Sequence, residues 1–183
     1  MLSLPDCKSR LTRWDERVLD ALRNRMSRRS RVVARAVGLA SWLAAGAVCY
    51  PVYSVFFLLY PEHRGLTLRV AIADVIGLAL VVALRYATRR PRPRERRDHR
   101  YIMPWNRYSF PSGHVVRAFA VCMALTMSGP AYLALTLPVG CLIGLSRLAL
   151  ARHYPSDVLA GIGLGMLAGL ASALPTLAHL SER

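Results

Sequence analysis

Five stretches of this chain, 32–60, 66–84, 114–127, 131–148 and 158–177, run apolar for most or all of the length a helix needs to cross a bilayer. About 20 helical residues span the hydrocarbon core, and a backbone with no water around it must satisfy its own polar groups. The first stretch is interrupted by Pro51, and the segment beyond that proline is too short to cross alone, so 32–60 reads as one kinked or tilted span. The expected fold class is therefore all-α, a multi-pass transmembrane helix bundle of about five spans, or six if 32–60 folds as a tight hairpin. Gly129 and Pro130 mark a turn between two of the spans.

Charge falls between these stretches. The net charge of +15 is almost wholly arginine, since Lys8 is the sole lysine. Counterion release makes basic proteins candidates for nucleic acid, but arginines that flank spans are what membrane orientation demands, and no nucleic-acid partner is expected. Residues 13–26 set Trp14, Val18, Leu19 and Leu22 at helical spacing among arginines, which reads as an amphipathic helix on the membrane surface. No apolar core precedes the basic run that ends at Arg31, so no cleavable signal peptide is expected. Cys7, Cys49, Cys122 and Cys141 form no CxxC pair and read as packing residues. One domain over 1–183 accounts for the chain, in the cell (inner) membrane.

The polar, proline-rich loop 85–113 and the ends of the spans around it carry three motifs. They are Arg85-x6-Arg92-Pro93, then Pro111-Ser112-Gly113-His114, then Ser146-Arg147-x5-His153-x3-Asp157. Span direction brings all three to one membrane face. Together they resemble the type 2 phosphatidic acid phosphatase superfamily, over about 66–174. The family pattern is lysine, six residues, Arg-Pro; then Pro-Ser-Gly-His; then Ser-Arg, five residues, His, three residues, Asp. The chain departs from it once, with Arg85 where the family has lysine. That exchange alters the contact expected of Arg85, because a guanidinium fork and an ammonium hold phosphate differently.

The residues themselves suit phosphoryl transfer, which needs fixed donors for non-bridging oxygens and a nucleophile opposite the leaving oxygen. Arg85, Arg92 and Arg147 offer bidentate forks for phosphate, although singly they equally suit anchoring to anionic headgroups. Ser112 reads as the N-cap of the next span, with Gly113 allowing close approach of phosphate to the free amides. Alone, Ser112 is a plain cap and His114 an interface histidine. His153 and Asp157 lie four apart around Pro155, so the carboxylate can turn back and hold one ring nitrogen as N–H.

The resemblance implies His153 as the nucleophile of a phosphohistidine intermediate, His114 as the acid and base, and Asp157 as the orienting carboxylate. It implies Arg85, Arg92, Ser112, Gly113 and Arg147 as phosphate-binding residues. Ser146 reads as structural, and Arg152 and Tyr154 as neighbours of the site. Magnesium needs a carboxylate cluster, and this face offers Asp157 plus Glu95 and Asp98 in a basic run, so no metal or cofactor is expected. Vanadium haloperoxidases share the motifs but are soluble and larger. Asp74, inside the second span, reads as a helix contact, and His63, His99 and His179 as solvated.

The implied activity is hydrolysis of a membrane lipid phosphate: phosphatidate, phosphatidylglycerol phosphate, a polyprenyl phosphate or diphosphate, or a lipid A phosphate. A catalytically silent lipid-binding or transport relative is the alternative; it would be expected to lack a histidine or the aspartate, and all three are present. Five spans and the basic N-terminus together place the motif face in the cytoplasm, whereas a hairpin at 32–60 would move it outside. Oligomeric state leaves no mark in the sequence.

Overall fold

The computed structural model describes residues 4–25, 30, 32, 33, 35, 36, 46–93 and 104–173. Within them the regular structure is entirely helical: α1 (Leu4–Arg25), α2 (Gly46–Leu59), α3 (Arg64–Thr88), α4 (Gly113–Thr126), α5 (Ala131–Ala149) and α6 (Pro155–Ala171). Short 3-10 turns at Pro61–His63 and Pro104–Arg107 complete it. Pro51 sits inside α2, while 37–45 lie outside the described residues, as do Glu95, Asp98, His99 and His179.

Helix α4 is the hub, packed against α3, α5 and α6, with α2 laid on α3. The seam between α4 and α6 is the tightest. A Cβ added at Gly165 would lie 2.5 Å from the Val116 carbonyl oxygen, and one at Gly169 would lie 2.8 Å from that of Ala120. With Gly161 these glycines recur every four residues, the small-residue stripe by which helices in lipid bring backbones together.

Outward, the bundle presents leucine: Leu58, Leu59, Leu135, Leu145, Leu159 and Leu167 are all exposed. Around such a belt lipid tails are the natural solvent. Pro61–Thr88 and Ala131–Ala149 are long and apolar enough to cross a membrane; Gly113–Thr126 and Pro155–Ala171 are shorter.

The N-terminal helix does more than lie on a surface. Its outer side exposes Leu11, Trp14 and Leu22 beside Arg13 and Arg17, as an interfacial helix should. Its inner side buries Asp15 and Leu19, with Leu19 packed on Ala151 and Tyr154.

Candidate active site

The C-terminal ends of α3 and α5 and the N-terminal ends of α4 and α6 meet at one end of the bundle. Helix α3 runs one turn past the expected boundary and stops where Arg89 adopts a left-handed conformation, its N–H bonded to the Arg85 carbonyl. This leaves Arg85 in the last turn, 3% exposed, its guanidinium donating to Asn106 Oδ1 (2.7 Å) and to the Pro111 carbonyl (3.3 Å). Arg92 follows in the loop and donates from Nε and Nη2 to the Asn106 carbonyl, and from Nη1 to the Arg152 carbonyl at 2.8 Å.

Helix α5 ends in a Schellman-type turn. The Arg152 N–H reaches back to the Arg147 carbonyl, with Ala151 at φ 47° where glycine is usual. That reversal buries Arg147 (1% exposed) and delivers His153 to the same end. Ser146 bonds its own helix through the Ile143 carbonyl, the structural part expected of it.

His153 is held between two groups of opposite character. Its Nδ1 lies 2.8 Å from the Ser109 carbonyl and its Nε2 3.1 Å from Arg92 Nη1. A carbonyl only accepts and a guanidinium only donates, so Nδ1 carries the hydrogen and Nε2 keeps its lone pair. Burial pushes the imidazole down to about 4; Asp157 opposes this and Arg92 reinforces it. The ring is neutral at physiological pH.

Asp157 differs from the expected arrangement. Its Oδ2 is 3.7 Å from His153 Nδ1, while the same oxygen accepts the Tyr154 backbone N–H at 2.8 Å and Oδ1 accepts from Arg90 Nη1 at 2.8 Å. The carboxylate caps α6 and pairs with an arginine, and the Ser109 carbonyl makes the shorter contact to the imidazole. Ser112 is the N-cap of α4, yet its side chain makes no capping bond. Ser112 Oγ is buried without a hydrogen-bond partner among the described residues, an unmet polar group where a phosphate oxygen would fit. At Gly113 a Cβ would lie 3.4 Å from Arg85 Nη2. His114, next in the helix, is half-buried, within electrostatic reach of Arg85, Arg147 and His153.

The sequence reading assigned no role to the network behind this site. Arg90 Nη2 pairs with Asp15 Oδ2 at 2.5 Å, and Asp15, fully buried, also accepts from the Ser156 backbone N–H and hydroxyl. The Arg90 guanidinium stacks 4.3 Å from the Tyr154 ring, so Tyr154 faces α1 rather than the phosphate pocket. The signal that could have found it was an acid on the inward face of a basic helix, four residues before Leu19. Among the described residues, no group of three or more His, Cys, Asp or Glu side chains is arranged to hold a metal ion.

Residues 65–177 match the PAP2 superfamily. The chain belongs to that superfamily. Over 81% of its length it is 31% identical to a decaprenylphosphoryl-5-phosphoribose phosphatase of Mycolicibacterium smegmatis, covering 82% of that protein. It is 35% identical to a lipid A 1-phosphatase of Rhizobium johnstonii over 36% of this chain, a match that spans only 27% of the relative's length. Two solved structures share the fold. They are LpxE of Aquifex aeolicus (TM-score 0.67, 24% identity, 85% of this chain and 92% of that one) and a phosphatidylglycerolphosphate phosphatase of Bacillus subtilis (TM-score 0.70, 21% identity, 88% and 83%).

Proposed function

We propose that this PAP2 protein is an integral membrane lipid phosphatase that hydrolyses a phosphate monoester through a phosphohistidine intermediate, without a metal. The observation that carries the reading is the tautomer of His153: a buried, neutral imidazole whose Nε2 lone pair faces an arginine suited to phosphate.

In this reading the phosphate settles among Arg85, Arg92, Arg147, the amides of the first turn of α4 and Ser112 Oγ. Charge-assisted forks and a helix N-terminus together offset the charge that builds on the non-bridging oxygens. His153 Nε2 attacks phosphorus and the bond to the lipid oxygen breaks. His114, taking up a proton as the negatively charged phosphate binds beside it, gives that oxygen its proton. Water then attacks the phosphohistidine, its proton passing to His114, and inorganic phosphate leaves with Nε2 restored. Asp157 steadies the imidazolium character that His153 acquires, acting with the Ser109 carbonyl.

All of 1–183 forms one domain, multi-pass in the inner membrane, taking its substrate from the surrounding lipid. Phosphate release from a short-chain lipid phosphate by detergent-purified protein, with and without EDTA, tests both parts. Turnover that survives chelation and is blocked by vanadate supports the mechanism; turnover lost to EDTA and restored by magnesium defeats it. Trapping labelled phosphate on His153, absent in His153→Ala, tests the intermediate.

A further inference from the structure

Residues 106–109 belong to none of the three motifs, yet groups from two of the motifs are held by them. Asn106 Oδ1 accepts from Arg85 Nη1 at 2.7 Å, and the backbone carbonyl of the same residue accepts from Arg92 Nε at 3.0 Å and Nη2 at 2.8 Å. Three residues on, the Ser109 carbonyl takes the Nδ1 hydrogen of His153. The segment is itself anchored. The Tyr108 N–H bonds the Trp105 carbonyl, the Ser109 N–H reaches the Arg90 carbonyl, and the Ser109 hydroxyl reaches the Pro91 carbonyl at 3.0 Å. One short turn therefore keeps a fixed relation to two arginines and the imidazole.

The chemistry of the acceptor matters as much as its place. Arg90 is aimed by the carboxylates of Asp15 and Asp157, which fix a guanidinium and also offset its charge. That suits a structural frame, but it would weaken a cation needed for phosphate. An amide or peptide oxygen fixes the direction of a donor and brings no net charge. Asn106, Pro111 and Arg152 give Arg85 and Arg92 acceptors of this neutral kind. Since a guanidinium only donates, the Asn106 side chain must present its oxygen, not its NH2, to Arg85.

The geometry points to Asn106 as a positioning residue for phosphate binding: its side chain aims the Arg85 fork and its carbonyl the Arg92 fork, and neither contact offsets their positive charge. Asn106 acts through these arginines and need not touch the substrate. It also gives the exchange at position 85 a counterpart. A planar fork has to be held in one plane to meet phosphate oxygens, whereas the three donors of a lysine ammonium rotate to suit. The inference rests on the phosphatase reading above and adds to it a residue outside every motif.

The test compares variants of the full-length protein in detergent for kcat/KM on a lipid phosphate, for inhibition by vanadate and for melting temperature. Asn106→Ala removes the acceptor and should lower kcat/KM about 10-fold, with vanadate inhibition weakened in step. Asn106→Asp keeps an acceptor but sets a negative charge beside the bound phosphate, and should lose about 100-fold. The same variant should melt above Asn106→Ala, because Arg85 gains a charged partner. Activity thus ranks Asp below Ala while stability ranks Asp above Ala. A residue that merely held the turn would rank Asp above Ala in both, and that result overturns the inference, as does an Asn106→Ala protein with the rate and vanadate affinity of wild type. The losses in Arg85→Lys and Asn106→Ala should not multiply when combined, since both act on one fork; losses that multiply in full would break the link between the two residues. Each of these results leaves the phosphatase reading in place. A wild type that releases no phosphate from any lipid phosphate defeats that reading and this inference with it.

Discussion

The molecule contains two buried charge clusters that share few habits. At the catalytic end, Asp15, Arg90, Ser156 and Asp157 are joined so that each carboxylate oxygen of Asp15 meets a donor and Arg90 serves two acids and a tyrosine face. Midway down the bundle, Arg117 Nε donates to Asp74 Oδ1, while Asp74 Oδ2 meets no hydrogen-bond donor among the described residues. A network in which every buried polar group is satisfied fixes geometry more firmly than a single bond can. The first cluster is a frame that joins α1, the loop and α6; the second is a tie between α3 and α4.

The sharpest way to break this comparison is at the proposed nucleophile. His153→Ala should lower turnover by about 10³-fold or more while circular dichroism and detergent size-exclusion profiles stay those of wild type. A variant with near-normal phosphate release would remove His153 from the chemistry.

Stability comes next. Asp74→Ala leaves the Arg117 cation buried without its carboxylate and should cost about 3 kcal/mol, seen as a lowered melting temperature in detergent, with Asp74→Leu/Arg117→Leu recovering most of it. No recovery in the double variant would show that the two side chains are not coupled.

Asp15→Ala removes the α1 side of the frame. A small displacement of Asp157 and the His153 loop is enough to cost about 10²-fold in kcat, with KM little changed. A loss confined to KM would instead assign α1 to lipid binding.

The gentlest probe is pH. Because burial and Arg92 hold His153 near 4, the neutral nucleophile persists down to that pH, and the acidic limb of kcat/KM belonging to it should lie there. Arg92→Gln removes one of the cations that lowers it, so the limb should move upward in the variant's lower activity. A downward shift would contradict the proposed contact.

Much of the site could be read from the sequence because its motifs are local and its spacings helical. Arg85, Arg92, Ser112, His153 and Asp157 converge because each lies within a few residues of a helix end, and apolar runs reveal helix ends. Asp15 and Arg90 were hidden for the opposite reason. Their partnership joins positions 75 residues apart, and Arg90 is one of many arginines in its loop. The turn of Asp157 toward Arg90 is hidden with them, since an i, i+4 spacing shows that a carboxylate can reach a histidine without showing what else competes for it. Asp74 was read as a helix contact, as found; that Arg117 was its partner required knowing how α3 and α4 face each other.

The glycines of the seam between α4 and α6 bear on how the two halves of the site can move. Gly161, Gly165 and Gly169 lie against the backbone and Cβ atoms of α4, from Val115 to Met123, with no side chain of their own to act as a bearing. Sliding α6 by a single residue would drive Ile162, Met166 or Leu170 into space that does not admit even a methyl group. The seam therefore behaves as a toothed rail with stops four residues, about 6 Å, apart. Because Ser112 and Asp157 ride on its two edges, joined by the Ser112 N–H to the Asp157 carbonyl, the spacing of the reactive groups is set by a gauge and not by the lipid that arrives. Whatever gives way to admit a bulky substrate must belong to α2 and the outer flank of α3, which no such rail constrains.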